Sequence, residues 1–471
     1  MPTEVAFFGD EIIEVSLPEG TEVLCGPAPL PAAPDVAVAV RQAIEKPVGC
    51  PPLAQIARRG TRVVIAFDDL ALPVPSMEEP DVRAVAVPIV VDTLLKGGVA
   101  RDDITLLCAN GLHRKCRPAE LATVLGEEAV AAFAPDRLLC HDAEAEGDLF
   151  LAGETAEGHA VEVNRLVAAA DLTVYLNVSW TTMNGGWKSF VVGLGSRRSI
   201  SHHHAPEVLA SEHSKMDPQR SPMHRIIDSM GDTLARALGR ERFFSVETVL
   251  NNQLPYQVAA VYAGFPPEVH RRTLATLAGQ QNIPVHGQAD VLVYCLPNLS
   301  PYAVGAIVNP VLVYNLALGY VFALYQRRPL VRAGGAIVVG QPCAYQFDDA
   351  HHPSYREFFD RVLAATRDPS EMRAHFEPEF LRRPEYRAAY QHGYGFHALH
   401  PFYAWYWAGC AAQHAGRIYL AGVREAWVAE RLGLAPASSV AEAIADARRY
   451  LRGDPMVRYL RLPPLFSGVA Q

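Results

Sequence analysis

A chain of 471 residues exceeds an ordinary single domain, so the sequence predicts at least two hydrophobic cores. Half of the residues are hydrophobic and a fifth are charged, which excludes a disordered chain. The formal charge of -9 excludes the basic surface of a general nucleic-acid or membrane binder, and a small molecule is the expected partner.

Targeting and redox signals favour a cytoplasmic protein. The longest apolar runs fall short of the ~20 residues that a membrane helix needs, and the start lacks the basic and apolar pattern of a signal peptide. Eight cysteines are scattered without a CxxC pair, which is typical of reduced thiols in an intracellular enzyme.

The first half of the chain alternates strands, loops and helices. Residues 4–24 alternate apolar and polar side chains and turn at 18–20, which predicts a β-hairpin. The run RVVIAFDD predicts a buried strand, VRAVAVPIVVDTLLKGG a helix, and ITLLCAN a second strand before the loop GLHRKCRP. This alternation predicts a doubly wound sheet of mostly parallel strands.

A second alternating set begins near residue 288 with ADVLVYCLP and continues through AIVVG and RIYLAG. The sequence therefore predicts an α/β chain of two domains, each with a mostly parallel sheet flanked by helices. The predicted boundaries are 1–285 and 286–450, with the tail 451–471 expected to pack back on the first domain. The segment 345–400, rich in His, Tyr and Arg, is expected to form loops and short helices over the interdomain cleft.

Polar side chains follow the first two buried strands. Asp68 and Asp69 end one strand, and His113 lies in the loop after the next. Parallel sheets bind ligands at the carboxyl ends of their strands, and a histidine there can move a proton at neutral pH. Either feature alone also fits a structural role, since an acidic pair can simply cap a helix.

The segment NGGWKSFVVGLGSRRSISHHH combines a glycine turn, a lysine and three histidines. The turn at Gly185 and Gly186 permits close approach of a phosphate or ring and presents Lys188. Histidines 202 to 204 offer imidazole ligands for zinc, copper, iron or nickel, although they also fit a polar loop. Three consecutive residues cannot all face one ion without strain, which argues against a zinc hydrolase.

Taken in order, these segments resemble the lactate racemase family, whose members use a nickel-pincer nucleotide. PPLAQIARRGTRVVIAFDDLALPVPS is similar to the family's first strand and loop, CANGLHR to its Thr-Gly-x-His-Arg loop, and NGGWKS to its Gly-Gly-x-Lys motif. CHDAEAEGDLFLAGETAEG resembles the segment between them, and ADVLVYCLP through VRAGGAIVV resembles the start of the second domain. The resemblance runs in order from about residue 15 to residue 450.

The resemblance implies an active site in the interdomain cleft and a role for each matching residue. Lys188 corresponds to the lysine that can hold the cofactor through a thioamide, beside the Gly185–Gly186 turn. His204 corresponds to the nickel ligand, with its two preceding histidines as alternatives. His113 corresponds to a proton-transfer histidine, and Asp69 to an acidic residue next to the cofactor. The implied reaction removes a hydroxyl proton and a hydride from one carbon, passes through a ketone and inverts the centre. Cofactor-maturation enzymes are the implied protein partners.

Three departures from the family pattern affect the substrate pocket. Leu72 stands where the family has an arginine, and Asn315 and Leu318 stand where it has a glutamine and a lysine. In lactate racemase the arginine and the lysine hold the substrate carboxylate, which two leucines cannot do. The sequence therefore predicts a substrate other than lactate, such as a sugar, a polyol or an aromatic hydroxy compound, close to Trp180. Cationic replacements could still come from Arg114, Arg197 or Arg198.

The family's second catalytic histidine is also missing, because Val178 stands at that place. His141 and His159 are candidate substitutes. Three interpretations stay open: a nickel-pincer racemase or epimerase at a secondary alcohol, a redox isomerase or oxidoreductase that does not racemise, and a non-catalytic cofactor-binding relative. The sequence leaves the oligomeric state open.

Overall fold

The computed structural model describes residues 2–471. The strands in this range are β1 (Thr3–Phe8), β2 (Glu11–Ser16), β3 (Glu22–Cys25), β4 (Val63–Asp68), β5 (Ile104–Ala109), β6 (Leu138–Cys140), β7 (Leu149–Glu154), β8 (Ala160–Asn164), β9 (Leu172–Ser179), β10 (Phe243–Leu250), β11 (Val258–Gly264), β12 (Asn282–Val285), β13 (Ala289–Cys295), β14 (Tyr325–Gln326), β15 (Val331–Gly340), β16 (Arg417–Ala421), β17 (Ala435–Ala437), β18 (Val457–Arg461) and β19 (Ser467–Ala470).

The α-helices are α1 (Val36–Glu45), α2 (Leu53–Ile56), α3 (Val82–Lys96), α4 (Pro118–Leu125), α5 (Glu127–Phe133), α6 (Arg165–Ala169), α7 (Arg197–His203), α8 (Pro206–Leu209), α9 (Pro222–Leu238), α10 (Pro266–Gln281), α11 (Pro310–Tyr314), α12 (Tyr355–Glu357), α13 (Leu363–Ala365), α14 (Pro369–Glu371), α15 (Glu377–Leu381), α16 (Pro384–Gln391), α17 (His400–Tyr406), α18 (Gly409–His414), α19 (Ala426–Arg431) and α20 (Val440–Leu451). Wider π-helical turns span Ser189–Gly193, Asn315–Val321, Phe358–Val362 and Met372–Phe376, and single 3-10 turns span Arg101–Asp103, Glu146–Asp148 and Arg240–Arg242. None of the helices described is long and apolar enough to cross a membrane.

Two six-stranded sheets form the core of the fold. The first has the order β11-β10-β9-β4-β5-β6, and every neighbouring pair except β11 with β10 is parallel. The second has the order β17-β16-β15-β13-β18-β3 and is parallel throughout. Every residue of β4, β9 and β10 is buried, as a sheet covered on both faces requires. The predicted fold class is confirmed.

The sheets group the two ends of the chain differently from the predicted boundaries of 1–285, 286–450 and 451–471. The hairpin β1–β2 turns at Gly9 and Asp10, ahead of the predicted turn, and β3 then pairs with β18 at the edge of the second sheet. One strand from each end of the chain, β3 and β18, therefore belongs to the second sheet, whereas β1 and β2 pair only with each other and β19 pairs with β12 and β14. The reason is that pairing over more than 400 residues leaves no local sequence pattern.

Candidate active site

A cavity between the two sheets collects most of the predicted site residues. Its first wall lies at the carboxyl ends of β4, β5 and β9, and its second wall comes from the second domain, mainly from α17 and the turns near residues 302 and 320. The predicted residues that line it are Asp69, Leu72, His113, Trp180, Gly185, Lys188 and His204.

His113 and Asp69 form a hydrogen-bonded pair on the first wall. Asp69 Oδ2 lies 2.7 Å from His113 Nδ1, and Asp69 Oδ1 accepts a hydrogen bond from the Ala71 amide at 3.0 Å. A carboxylate accepts only, so Nδ1 carries the hydrogen and Nε2 keeps its lone pair. Among the residues described, Nε2 has no hydrogen-bond partner, so it is free to take a proton in the cavity.

A buried arginine that the sequence analysis missed holds this loop. Arg83 is 2% exposed, and its Nη1 donates to the carbonyl oxygens of Asp68 at 2.8 Å and Asp69 at 2.7 Å. Its charge is paired with Asp81 at 2.7 Å. Its sequence signal is a single arginine in the first turn of α3, directly before an apolar run.

Asp68 and Lys188 belong to the same wall of the cavity. Asp68 accepts hydrogen bonds from Tyr175, Asn177 and the Val178 amide, and burial raises its pKa to about 6. Burial lowers the pKa of Lys188 below its ordinary value, although the negative charges of Asp68 and Asp69 act in the opposite direction. The Lys188 Nζ has no hydrogen-bond partner within residues 2–471. An amine that gives up its proton more readily and lies free is suited to forming a covalent bond.

The two glycines before Lys188 make the turn that presents it. Gly185 and Gly186 have φ angles of 101° and 60°, which disfavour other residues. Added Cβ atoms would lie 2.7 Å from Glu247 and 2.8 Å from His270, and the Gly186 amide donates to the buried Glu247 carboxylate at 2.7 Å. Gly185 lines the cavity but Gly186 does not. Contact of both glycines with a cofactor stays a prediction, and the structure shows that Gly186 forms the turn.

Of the three consecutive histidines, only His204 lines the cavity. His202 Nε2 accepts a hydrogen bond from the Ala160 amide at 3.1 Å, and His203 is fully buried behind. Burial lowers the pKa of His204 to about 3, so its imidazole is neutral, as a metal ligand must be. Its Nε2 has no hydrogen-bond partner in the described part of the chain, and its ring stacks on Tyr403 with centres 5.3 Å apart.

Asn315 and Leu318, predicted to line the substrate pocket, do not reach it. Asn315 Nδ2 donates to the Ala404 carbonyl at 2.9 Å, and Leu318 is 1% exposed in the core. Both lie in the π-helical turn Asn315–Val321, where the extra residue per turn rotates the side chains relative to an α-helix. Tyr320 faces the cavity instead.

The three arginines proposed to replace the missing cationic residues make ion pairs outside the cavity. Arg114 pairs with Glu120 at 2.7 Å, Arg197 with Glu144 at 2.5 Å, and Arg198 lies 3.5 Å from Glu154. None of the three lines the cavity, where Lys188 is the one lysine or arginine among the described residues. The second wall is aromatic: Tyr302, Tyr320, Tyr403 and Trp407, with Trp180 opposite.

Neither candidate substitute for the family's second catalytic histidine lines the cavity. Val178 is buried in an apolar cluster with Leu250 and Tyr256. His141 is fully buried with Nε2 2.9 Å from the Gly195 carbonyl, and His159 lies against His202 outside the cavity. His400, which carried no sequence motif, lines the cavity beside His113.

Fold and cavity together define a two-domain α/β protein with a ligand cleft between its parallel sheets. The model of the lactate racemase N-terminal domain matches residues 8–217. The lactate racemase of Thermoanaerobacterium thermosaccharolyticum is 24% identical over 236 residues, which are 49% of this chain and 51% of that protein. That of Lactiplantibacillus plantarum is 27% identical over 177 residues, 36% of this chain and 39% of that protein. The matched region thus spans about half or less of the length of these relatives.

Solved structures share the fold over nearly the whole chain. The lactate racemase apoprotein from T. thermosaccharolyticum aligns over 100% of both chains with a TM-score of 0.69 at 18% identity. A protein from Thermotoga maritima aligns over 93% of this chain and 97% of its own with a TM-score of 0.58 at 13% identity. The first half of the chain is thus similar in sequence to the lactate racemase family, and the whole chain shares the fold of a lactate racemase.

Proposed function

We propose that this protein is a nickel-pincer nucleotide-dependent racemase or epimerase that acts at a secondary alcohol carbon. The observation that carries the proposal is that Lys188, His204 and the His113–Asp69 pair all open on one cavity. Similarity to lactate racemases supports the reaction class, and the chemistry of these side chains supports the cofactor.

The residues present fit the implied cofactor. Lys188 has a free amine with a lowered pKa, which suits a thioamide link, and His204 offers a neutral, unpartnered Nε2 as a nickel ligand. When bound, the nickel-pincer nucleotide would supply a site that accepts and returns hydride. The enzymes that mature this cofactor are the protein partners that we propose.

The proton chemistry belongs to His113 and Asp69. Nε2 of His113 takes the hydroxyl proton, and the Asp69 carboxylate holds Nδ1–H and stabilises the imidazolium that forms. The same proton returns to the oxygen when the alcohol is re-formed. Burial of Asp69, which is 6% exposed, strengthens this charge interaction.

The proposed substrate lacks the carboxylate of lactate. Leu72 lines the cavity, and among the residues described no arginine does. A substrate carboxylate would therefore lose its hydration without gaining the paired hydrogen bonds that a guanidinium provides. The aromatic wall of Tyr302, Tyr320 and Trp407 suits the face of an aromatic ring or a sugar. An aromatic or polyhydroxylated secondary alcohol is therefore the substrate class that we propose.

A second candidate is a redox isomerase or oxidoreductase that does not invert its substrate. It is favoured by Val178, whose apolar surroundings leave one face of the substrate without the second base of the family.

The two candidates are separated by following single enantiomers in deuterated water. Enzyme co-produced with the maturation enzymes is given (R)-1-phenylethanol, sorbitol or L-lactate, and configuration, ketone and deuterium content are measured. We expect inversion of the neutral alcohols with protium retained at carbon, because the hydride does not exchange with water. Ketone without inversion would favour the second candidate, and deuterium at carbon would contradict hydride transfer. His113→Gln should abolish turnover, whereas His159→Gln, outside the cavity, should not.

A further inference from the structure

A second histidine faces the reacting end of the cavity from the opposite domain. The ring centre of His400 lies 5.6 Å from that of His113, and the two rings are at 74° to each other. Both side chains line the cavity. His400 is 6% exposed and is the first residue of α17, so its position is fixed by the helix.

Tyr355 orients the His400 ring. The Tyr355 hydroxyl lies 2.5 Å from His400 Nδ1, and the tyrosine is fully buried. Within residues 2–471 this hydroxyl has no other partner, and a buried O–H that donates to nothing is costly. The hydroxyl therefore donates to Nδ1, and a neutral imidazole then carries its own hydrogen on Nε2.

The surroundings keep both members of this pair neutral. Burial, followed by the neighbouring His113 and His352, holds the pKa of His400 well below its ordinary value. Burial raises the pKa of Tyr355 well above its ordinary range, so the hydroxyl keeps its hydrogen. The cavity thus receives a lone pair from His113 and an N–H group from His400.

One substrate oxygen can reach both rings. An oxygen at hydrogen-bond distance from Nε2 lies about 4 Å from the centre of that ring. Since the two ring centres are 5.6 Å apart, an oxygen to the side of the line that joins them can lie about 4 Å from both centres.

We propose that His400, oriented by Tyr355, is a catalytic residue that donates its Nε2–H to the substrate oxygen while His113 takes the hydroxyl proton. This inference rests on the proposed function. The O–H bond breaks and an N–H bond forms on His113, and the electron pair of the adjacent C–H bond would leave as the hydride that the bound cofactor would accept. The C=O bond forms from the oxygen electron pair, and His400 keeps its proton and polarises the carbonyl. If the ketone turns about its C=O axis while the oxygen stays hydrogen-bonded to His400, hydride returns to the other face and no base is needed at Val178.

The test compares four variants of the nickel-loaded enzyme. His400→Phe should lower kcat about 100-fold with nickel content unchanged, and His400→Gln, which keeps an N–H donor, should recover part of that loss. Tyr355→Phe should lower kcat about tenfold and change KM by less than about threefold, because it removes only the hydrogen bond that orients the His400 ring. Tyr419→Phe removes a buried, unpartnered hydroxyl remote from the cavity and should change neither constant.

A binding measurement separates this inference from the proposed function. Titration with acetophenone should show that His400→Phe raises the Kd about 3- to 10-fold, as expected for the loss of one hydrogen bond. This result does not depend on whether the wild type racemises any alcohol. Absence of wild-type turnover would thus overturn the proposed function alone. Unchanged kcat and unchanged Kd in His400→Phe, or loss of nickel from it, would overturn the role of His400. If that variant does not fold, an unchanged kcat in Tyr355→Phe overturns the inference.

Discussion

Asp69 determines which nitrogen of His113 faces the cavity. Asp69→Asn leaves the shape of the loop but removes the charge that stabilises the imidazolium, so kcat for the neutral alcohol should fall about 100-fold with nickel content unchanged. Steady-state rates and metal analysis check this. Asp35→Asn, at the exposed N-cap of α1, is the matched control and should leave kcat unchanged. Equal rates for Asp69→Asn and wild type would remove Asp69 from the mechanism.

Leu72 is the position at which the substrate class should change most simply. Leu72→Arg places a carboxylate-binding fork in the cavity and should raise kcat/KM for L-lactate at least about tenfold while lowering it for neutral alcohols. Leu72→Met keeps the site apolar and should leave the preference unchanged. If the wild type already prefers lactate to every neutral alcohol, the proposed substrate class is wrong.

His141 gives the protein a specific sensitivity to acid. Burial lowers its pKa from 6.5 to about 4, so the unfolded chain binds a proton below pH 6.5 that the folded chain refuses. The contribution is complete above pH 6.5 and is lost as the pH falls towards 4, by about 1.4 kcal/mol per pH unit. Urea unfolding of His141→Gln at pH 7, 6 and 5 should therefore show a shallower decline than the wild type. Parallel declines would contradict the assigned burial effect.

At the scale of elements, the glycine turn before Lys188 should tolerate substitution poorly. Gly186→Ala forces a Cβ to within 2.8 Å of His270 at a φ of 60°, whereas Gly60, with a φ of 82°, has open space around it. Gly60→Ala should cost only the conformational term of about 1–2 kcal/mol. Thermal unfolding should show a larger loss for Gly186→Ala, and equal losses would mean that the turn relaxes freely.

The elements also show where sequence patterns succeed and fail. The strands β4 and β9 were predictable because continuous apolar runs mark strands buried on both faces. The loop residues at their ends were predictable because parallel strands place them at one edge of the sheet. Asn315 and Leu318 were misplaced because a π-helical turn changes which side chain faces the cleft, and a single sequence carries no signal of that turn. His400 was missed because its partners are distant in sequence.

At the scale of the molecule, strands from the two ends of the chain pair with each other at one edge of the second sheet. Arg458 on β18 is fully buried, and its Nε donates to Glu22 on β3 at 2.7 Å. Removing residues 2–25 should therefore expose β18 to hydrogen exchange while β4 and β9 stay protected. Unchanged protection of β18 would show that β3 contributes little. This closure could not be predicted, because each end carries only a short strand.

We propose that one cavity holds a nickel-pincer cofactor through Lys188 and His204. The most direct test is the intact mass and nickel content of the protein co-produced with the maturation enzymes, beside Lys188→Ala and His204→Ala. We predict nickel with an added covalent mass in the wild type, loss of that mass in Lys188→Ala, and reduced nickel in His204→Ala. A wild type with neither nickel nor added mass would contradict the account and leave a non-catalytic relative of the family as the interpretation.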